Sequence, residues 1–249
     1  MASRGELFKH LSDTFQNMGG SFHILDQRVP VEQQLEYFSY ASRLRRKNRK
    51  IKDSDFNRFT EKLVNVDLSK EEKKKILSIL ASSSEIRAYR LLEQYVKNPD
   101  EGLVNWATLA LMESRIMIES ELSGERQIYI STGLGGKEGK MRFYVLIPAM
   151  RRTSFEPYQQ EVIEKELLYL LPQNDCEIER LTIKDNYVEF VSLIPMAFDI
   201  RRLLTKVIAE CNVFGNFLSE RFTVTNVKEF TQDEVNQVLA NYKKKITRK

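Results

Sequence analysis

Two similar stretches, 47 positions apart, constrain the C-terminal half of this chain more than any other feature of the sequence. Residues 144–148 read YVLIP and residues 190–195 read FVSLIP, so each apolar stretch closes on a proline. Each has the composition of a strand, and each is followed by the spacing of a helix. The repetition predicts a strand-strand-helix unit used twice, which is typical of a two-layer α+β sandwich.

The two copies share a plan of two strands followed by a helix, and further elements complete the domain. The predicted elements are strands at 127–132 and 141–147, a helix at 155–171, strands at 177–183 and 187–194, a helix at 198–211 and a strand at 221–225. Asp185 and Asn186 mark a tight turn between the second pair of strands. A capping box of Thr231 and Glu234 opens the last helix, which turns Val235, Val238 and Leu239 inward.

The N-terminal half shows the spacing of helices. The segments 84–92 (SEIRAYRLL) and 106–111 (WATLAL), joined through Asn98-Pro99-Asp100, form a helix, a short turn and a second helix. This hairpin resembles a HEAT-type helical repeat. The resemblance implies a curved helical array from about residue 31 to 122, whose surface would bind proteins or nucleic acids. An ordinary amphipathic helical hairpin has the same pattern, and that alternative stays open.

The chain therefore divides into three predicted parts. Residues 1–29 form an amphipathic helix and a linker, residues 30–124 form an α-helical, HEAT-like module, and residues 125–249 form the α+β domain. The fold class is α+β, with an all-α N-terminal module. Leu7, Leu11 and Phe15 recur at helical spacing in the first part, and this face would dock on the protein itself or on a partner.

Basic residues are concentrated in two short segments that contain no acidic residue. The first runs from 43 to 52 and the second from 243 to 249, and the rest of the chain carries more acidic than basic residues. Two basic clusters on an acidic body predict an oriented contact with a polyanion such as RNA or DNA. Cations at a helix C-terminus also occur as plain solvated residues. The predicted phosphate-contacting residues are Arg43, Arg45, Arg46, Lys47, Arg49, Lys50, Lys52, Lys243, Lys244 and Lys245.

A glycine-rich segment at 133–140 separates the first two predicted strands of the α+β domain. It holds four of the ten glycines, together with Lys137 and Lys140. It lacks the Walker spacing, and a strand rather than a helix follows it, so nucleotide hydrolysis is not expected. We expect an eight-residue loop, which is either a mobile finger whose two lysines reach a phosphate backbone or slack in a hairpin.

Enzyme signals are weak. His10 and His23 are the two histidines, and their spacing supports neither a metal site nor a catalytic triad. Cys176 and Cys211 are expected as free thiols in a cytoplasmic protein. We expect neither a signal peptide nor an apolar membrane span. We expect no cofactor, no metal and no membrane partner.

The sequence thus favours a non-enzymatic protein that binds RNA or a ribonucleoprotein particle, such as the ribosome, mostly through phosphates. Tyr129, Phe143 and Tyr144 would add a stacking platform for bases unless they belong to the core, which is the favoured interpretation. A protein-protein adaptor is the first alternative, with an acidic or apolar protein as its partner. An enzyme of unrecognised class that uses the glycine-rich segment is the second.

Overall fold

The computed structural model describes residues 21–45, 51–125, 127–150, 154–196 and 198–246. The described chain falls into two compact units, one of residues 21–131 and one of residues 132–246. The predicted α+β fold with an N-terminal helical part is confirmed. Leu7, Leu11 and Phe15, together with the rest of the predicted first helix, lie outside the described residues.

The first unit is a helical bundle closed by two short strands. Its elements are β1 (Ser21–Ile24), α1 (Val31–Arg45), α2 (Asp53–Val64), α3 (Lys70–Ala81), α4 (Ile86–Lys97), α5 (Val104–Ser123) and β2 (Gln127–Ile130). The longest helix, α5, packs against α1, α3 and α4 and is the centre of the unit. Trp106 on α5 meets the rings of Tyr37 and Tyr40 edge-on at 5.1 and 5.3 Å.

A buried ion pair fixes the turn between α4 and α5. Lys73 on α3 is 2% exposed, and its ammonium lies 2.8 Å from both carboxylate oxygens of Asp100 in that turn. The hydroxyl of Tyr95 donates to the same carboxylate. These contacts lower the pKa of Asp100, with the hydrogen bond from Lys73 as the largest cause. Burial raises the pKa of Tyr95 well above its usual value, so the phenol remains a donor.

The second unit holds the repeated elements. They are β3 (Gly136–Lys137), β4 (Lys140–Pro148), α6 (Pro157–Leu170), β5 (Glu177–Ile183), β6 (Tyr187–Pro195), α7 (Ile200–Asn212), β7 (Thr223–Thr225) and α8 (Gln232–Ile246). The sheet runs β3-β4-β6-β5, and β7 pairs with β4. From β4 to β7 the order is β-α-β-β-α-β, with every strand pair antiparallel, which is the split β-α-β or ferredoxin-like arrangement.

The repetition in sequence appears as a local twofold relation in the sheet. Tyr144 on β4 pairs with Val191 on β6, the residue 47 positions later, so the axis that relates the two copies passes through this pair. Pro148 ends β4 and Pro195 ends β6, and each strand leads to a helix as predicted. The two helices that follow, α6 and α7, pack against each other.

The strand pairing predicted for the first copy is wrong. Gln127–Ile130 does not join β4, because it pairs in parallel with Ser21–Ile24 in the first unit. The side chains of His23 and Gln127 lie 2.9 Å apart across that pair. The partner of β4 on this side is β3, only two residues long. A parallel partner about a hundred residues away is a non-local choice that neither strand's own sequence specifies.

Helix α8 covers one face of the sheet. Val235 and Leu239 pack with Tyr144 and Val191, and Phe230 adds a ring 5.1 Å from that of Tyr144. Residues next to Tyr144, such as Phe143, point to the opposite face, on which the split β-α-β arrangement places α6 and α7. Phe143 is 4% exposed and Tyr144 is completely buried. The core interpretation of these two aromatics is therefore confirmed, and the stacking platform is wrong for both.

Candidate nucleic-acid interface

A groove of about 840 Å³ in the first unit lies where the first basic segment begins and ends. Leu44 and Arg45 line it at the end of α1, and Ile51 lines it just before α2. Arg46, Lys47, Arg49 and Lys50 lie between these lining residues and outside the described residues. The described residues on both sides of the segment with the densest positive charge, Arg45 and Ile51, therefore line the same groove.

Three further cations line this groove, which we call the basic groove. They are Arg58 and Lys62, one turn apart on α2, and Lys75 on α3. None of the three lies within 4.0 Å of a carboxylate among the residues that the structure describes. The sequence did not single them out because acidic residues lie close to each of them along the chain, although the spacing of Arg58 and Lys62 places both on one helix face.

The acidic residues of the groove are partly engaged in helix caps. Asp55 accepts a hydrogen bond from the backbone N–H of Lys52 at 3.0 Å. Glu72 accepts from the hydroxyl of Ser69 at 3.2 Å, and its own N–H donates to that hydroxyl at 3.3 Å. Glu85 and Glu121 also line the groove. The carboxylates of Asp55 and Glu72 are thus engaged in the caps at the starts of α2 and α3.

Of the predicted residues Arg43, Arg45 and Lys52, Arg45 lines the groove, and the other two are sequence neighbours of its lining residues Leu44 and Ile51. The guanidinium of Arg43 donates to the carbonyl of Ser39 on its own helix at 3.2 Å and is exposed. Lys52 is exposed at the start of α2. Arg45 is paired with a buried carboxylate, with 2.9 Å between its Nη1 and Oε1 of Glu113.

Glu113 anchors the end of α1. It is 5% exposed on α5, and its Oε2 accepts a hydrogen bond of 2.5 Å from the fully buried hydroxyl of Tyr37. Burial, followed by the nearby carboxylate of Glu113, raises the pKa of Tyr37, so its hydroxyl stays protonated and donates. The side chain of Arg45 is 43% exposed, so one face of its guanidinium still reaches solvent. Glu113 thus positions the residue from which the basic segment departs.

In the second unit the glycine-rich segment is a tight hairpin and not the expected eight-residue loop. Gly136–Lys137 pairs with Lys140–Met141, and the turn residues Glu138 and Gly139 have φ of 51° and 76°. Two consecutive positive φ values are typical of a type I′ turn. A Cβ on Gly133 would lie 1.7 Å from the carbonyl oxygen of Val227, so this glycine allows a close approach of two backbones.

Lys137 and Lys140 are committed to carboxylates of the same unit. The Lys140 ammonium lies 2.6 Å from Asp175, and that of Lys137 lies 4.0 Å from Glu177. The hydrogen bond to Asp175 raises the pKa of Lys140. A phosphate would have to compete with these carboxylates, so neither lysine is the centre of the candidate interface.

A second groove, of about 880 Å³, lies in the second unit and is lined by α7, the segment before β7, and α8. Arg201 and Arg221 line it, together with Phe222 and Tyr242. We call it the arginine groove. Helix α8 continues past Tyr242 through positions 243–245, so the backbone of the predicted Lys243, Lys244 and Lys245 follows one of its lining residues. The side chains of these three lysines are outside the described part of the chain.

The two cysteines are buried, and the described histidine is hydrogen-bonded within the fold. Cys176 and Cys211 are free and buried, and burial raises their pKa to about 11 and about 12. His23 bonds Gln127 between two strands, and His10 is outside the described residues. Within the described ranges, no group of three or more His, Cys, Asp or Glu side chains is placed to hold a metal ion. No helix in that part of the chain is both long enough and apolar enough to cross a membrane.

Comparison with known proteins gives no family. No family model and no curated protein matches the chain. Similar solved structures include a proposed transposase from Deinococcus radiodurans R1 (16% identity, 43% of this chain and 93% of that chain, TM-score 0.38). A second is a REP-associated tyrosine transposase bound to a REP hairpin (13% identity, 41% of this chain and 64% of that chain, TM-score 0.32). A third is the C-terminal domain of MgtC from Mycobacterium tuberculosis (12% identity, 38% of this chain and 98% of that chain, TM-score 0.28). All three TM-scores are below 0.5, so these likenesses carry no argument.

Proposed function

We propose that this protein is a non-enzymatic, cytoplasmic binding protein that contacts RNA, or an RNA-containing particle such as the ribosome, through the basic groove. The observation that carries the proposal is the position of the groove. The groove is lined by Arg45 and Ile51, the described residues on either side of the densest basic segment. It is also lined by Arg58, Lys62 and Lys75, which have no carboxylate partners among the described residues. Charges that no neighbour neutralises are the ones a phosphate backbone gains most from contacting.

The proposed contacts position the RNA without reading its sequence. Lys and Arg bonded to phosphate oxygens fix orientation and carry no base information. The sheet aromatics that could have stacked on bases, Phe143 and Tyr144, are buried in the core of the second unit. We therefore expect weak base preference at the basic groove and a steep loss of affinity with salt.

The test is charge reversal with a matched control in the same unit. The triple variant Arg58→Glu, Lys62→Glu and Lys75→Glu removes three groove cations. The triple variant Lys70→Glu, Arg90→Glu and Lys97→Glu makes the same change in net charge at positions that do not line the groove. Binding of a labelled RNA duplex is measured by fluorescence anisotropy over a salt series.

The two variants should differ in slope as well as in affinity. Each lost phosphate contact reduces the magnitude of the slope of log K against log salt by about 0.7–0.9, so the three substitutions in the basic groove should reduce it by about 2–3. The control variant with three substitutions should keep most of the salt dependence of the wild type. Equal losses in the two variants would mean that overall charge, and not the groove, determines binding, and would contradict the proposal.

The alternative proposal is a protein-protein adaptor, and one observation favours it. Leu35 and Phe38 lie one turn apart on α1 and are 63% and 36% exposed. Apolar side chains exposed at helical spacing form the kind of face that a partner helix covers. Substituting Leu11 and Phe15 by Ser should affect only this second activity, whereas reversing Arg45, Arg46, Lys47 and Arg49 to Glu should abolish RNA binding. A co-precipitated protein that survives nuclease and disappears in the Ser variant would favour the adaptor.

A further inference from the structure

The arginine groove combines two kinds of side chain that single-stranded nucleic acid uses. Arg201 and Arg221 are exposed on its walls, and neither lies within 4.0 Å of a carboxylate of the described residues. Phe222 and Tyr242 are half-buried in the same groove. Arginine supplies phosphate contacts, and an aromatic ring supplies a face on which any base can stack. Neither feature alone points to this ligand, but the groove brings both together.

The two aromatic residues are held by local structure. The hydroxyl of Tyr242 lies 3.0 Å from the hydroxyl of Thr223, which ties α8 to β7. Phe222 directly precedes β7, whose pairing with β4 fixes its start. Asn212, another lining residue, donates from its side-chain amide to the carbonyl of Leu218 and accepts from the N–H of Leu218, each at 2.9 Å, which closes the turn after α7. The two rings are therefore held in place before a ligand binds, so a base that stacks on them loses little free energy to the ordering of side chains.

The electrostatics of the groove also favour an anion. Glu220 is the acidic residue of its lining, against Arg201 and Arg221. Three consecutive lysine positions, Lys243, Lys244 and Lys245, follow Tyr242 on the same helix. The groove has a volume of about 880 Å³, which is within the range of ligand-binding clefts.

From this combination we infer that the arginine groove binds a single-stranded stretch of nucleic acid, with phosphates on Arg201 and Arg221 and a base stacked on Tyr242. The inference rests on the proposed function, because it assigns to the second unit the single-stranded part of the RNA that the basic groove holds by its backbone. It adds a preference for unpaired over paired RNA. It predicts little discrimination among bases, because every base has a face that can stack.

The experiment uses the full chain and two labelled probes, a 12-nucleotide oligouridylate and a 12-base-pair RNA duplex. Arg201→Glu with Arg221→Glu should weaken oligouridylate binding by at least 10-fold. Arg202→Glu with Lys206→Glu makes the same charge change on exposed positions of α7 that do not line the groove, and should weaken it by less than 3-fold. Equal effects of the two pairs would overturn the inference.

Tyr242 separates stacking from charge. Tyr242→Ala should weaken oligouridylate binding by roughly 5- to 150-fold, the range for loss of one stacked base, and leave duplex binding unchanged. Tyr242→Phe keeps the ring and loses the bond to Thr223, so it should bind as the wild type does; a loss equal to that of the alanine variant would overturn the inference. Polyglutamate of matched charge has no bases. If it displaced labelled oligouridylate as well as unlabelled oligouridylate does, the inference would also be overturned.

The basic groove triple variant keeps the two proposals apart. If that variant loses duplex binding while the arginine groove variants bind oligouridylate normally, the inference fails and the proposed function stands. If neither probe binds the wild type, both fail. Circular dichroism melting of each variant confirms that the second unit remains folded.

Discussion

The buried contact between Lys73 and Asp100 is the best place to test how the first unit is held together. Asp100→Asn leaves the Lys73 ammonium, 2% exposed, without its counter-charge. Removing one partner of a buried pair costs about 3–5 kcal/mol, because the remaining charge is desolvated and uncompensated. The side chain of Asp100 is 32% exposed, so water partly screens the loss. We therefore expect about 3 kcal/mol, the lower end of that range.

Trp106 provides the assay, because it is the only tryptophan of the chain and lies on α5 in the first unit. Its fluorescence during urea denaturation reports that unit alone. With a denaturant dependence of about 1–3 kcal/mol per molar urea, the midpoint should fall by about 1–3 M. Asp53→Asn is the matched control, since Asp53 pairs with Arg87 at 2.7 Å but is 93% exposed, and it should cost less than about 1 kcal/mol.

Two results would refute this reasoning. One is a loss no larger than that of Asp53→Asn. The other is a failure of Lys73→Met to rescue stability in the Asp100→Asn background, since the double variant no longer buries a charge. The pH dependence gives a further check. Because the folded pKa of Asp100 is lowered, its contribution is complete above the usual carboxyl pKa of about 4 and is lost as the pH falls through the folded value. Asp100→Asn should remove that acid-dependent part.

Two other predictions follow from single contacts. Gly133→Ala should destabilise the second unit by about 3 kcal/mol or more in thermal melting, because the added Cβ would meet the Val227 backbone. Gly139→Ala is the control: its φ is 76° and nothing lies within 4 Å of the added Cβ, so it should cost about 1 kcal/mol. Equal costs for the two variants would contradict the close approach of the Gly133 and Val227 backbones. Iodoacetamide at pH 8 should modify Cys176 and Cys211 slowly in the native protein and rapidly in urea, since burial raises their pKa to about 11 and 12; rapid native labelling, read by mass spectrometry, would contradict their burial.

Much of the second unit was predictable because its signals are local. The alternation and turn residues of β5 and β6 gave bounds close to those observed, and the capping box of α8 forms as predicted, with the Thr231 N–H donating to Glu234 at 3.0 Å. The sequence of β4 also predicts its burial. Its apolar residues run continuously from Phe143 to Pro148, which indicates a strand covered on both faces and predicts the layer that α8 supplies.

What the sequence did not reveal is non-local. The first residues of α4 and α5, Ile86 and Val104, are apolar but are 57% and 52% exposed, and an apolar residue type alone does not predict this. The ion pairs of Lys137 and Lys140 join positions more than thirty residues apart, so their neutralisation cannot be read from composition.

The candidate site was predicted in part. The sequence located the basic segment around residue 47 by its density of charge, but the groove that its flanks share is formed by α1, α2, α3 and α5, which only tertiary packing brings together. Arg201 and Arg221 are twenty residues apart and stand in no dense run, so the arginine groove had no signal in the sequence beyond the tail that follows it.

The central claim is that this protein binds RNA, and sedimentation tests it most directly. Tagged protein in a lysate of its own cells is run on a gradient at low and high salt, with and without nuclease, beside the Arg58→Glu, Lys62→Glu and Lys75→Glu variant. The account predicts that the wild type migrates with RNA-containing particles, that salt or nuclease releases it, and that the variant stays near the top. Wild-type protein that stays at the top of the gradient under every condition would contradict the account.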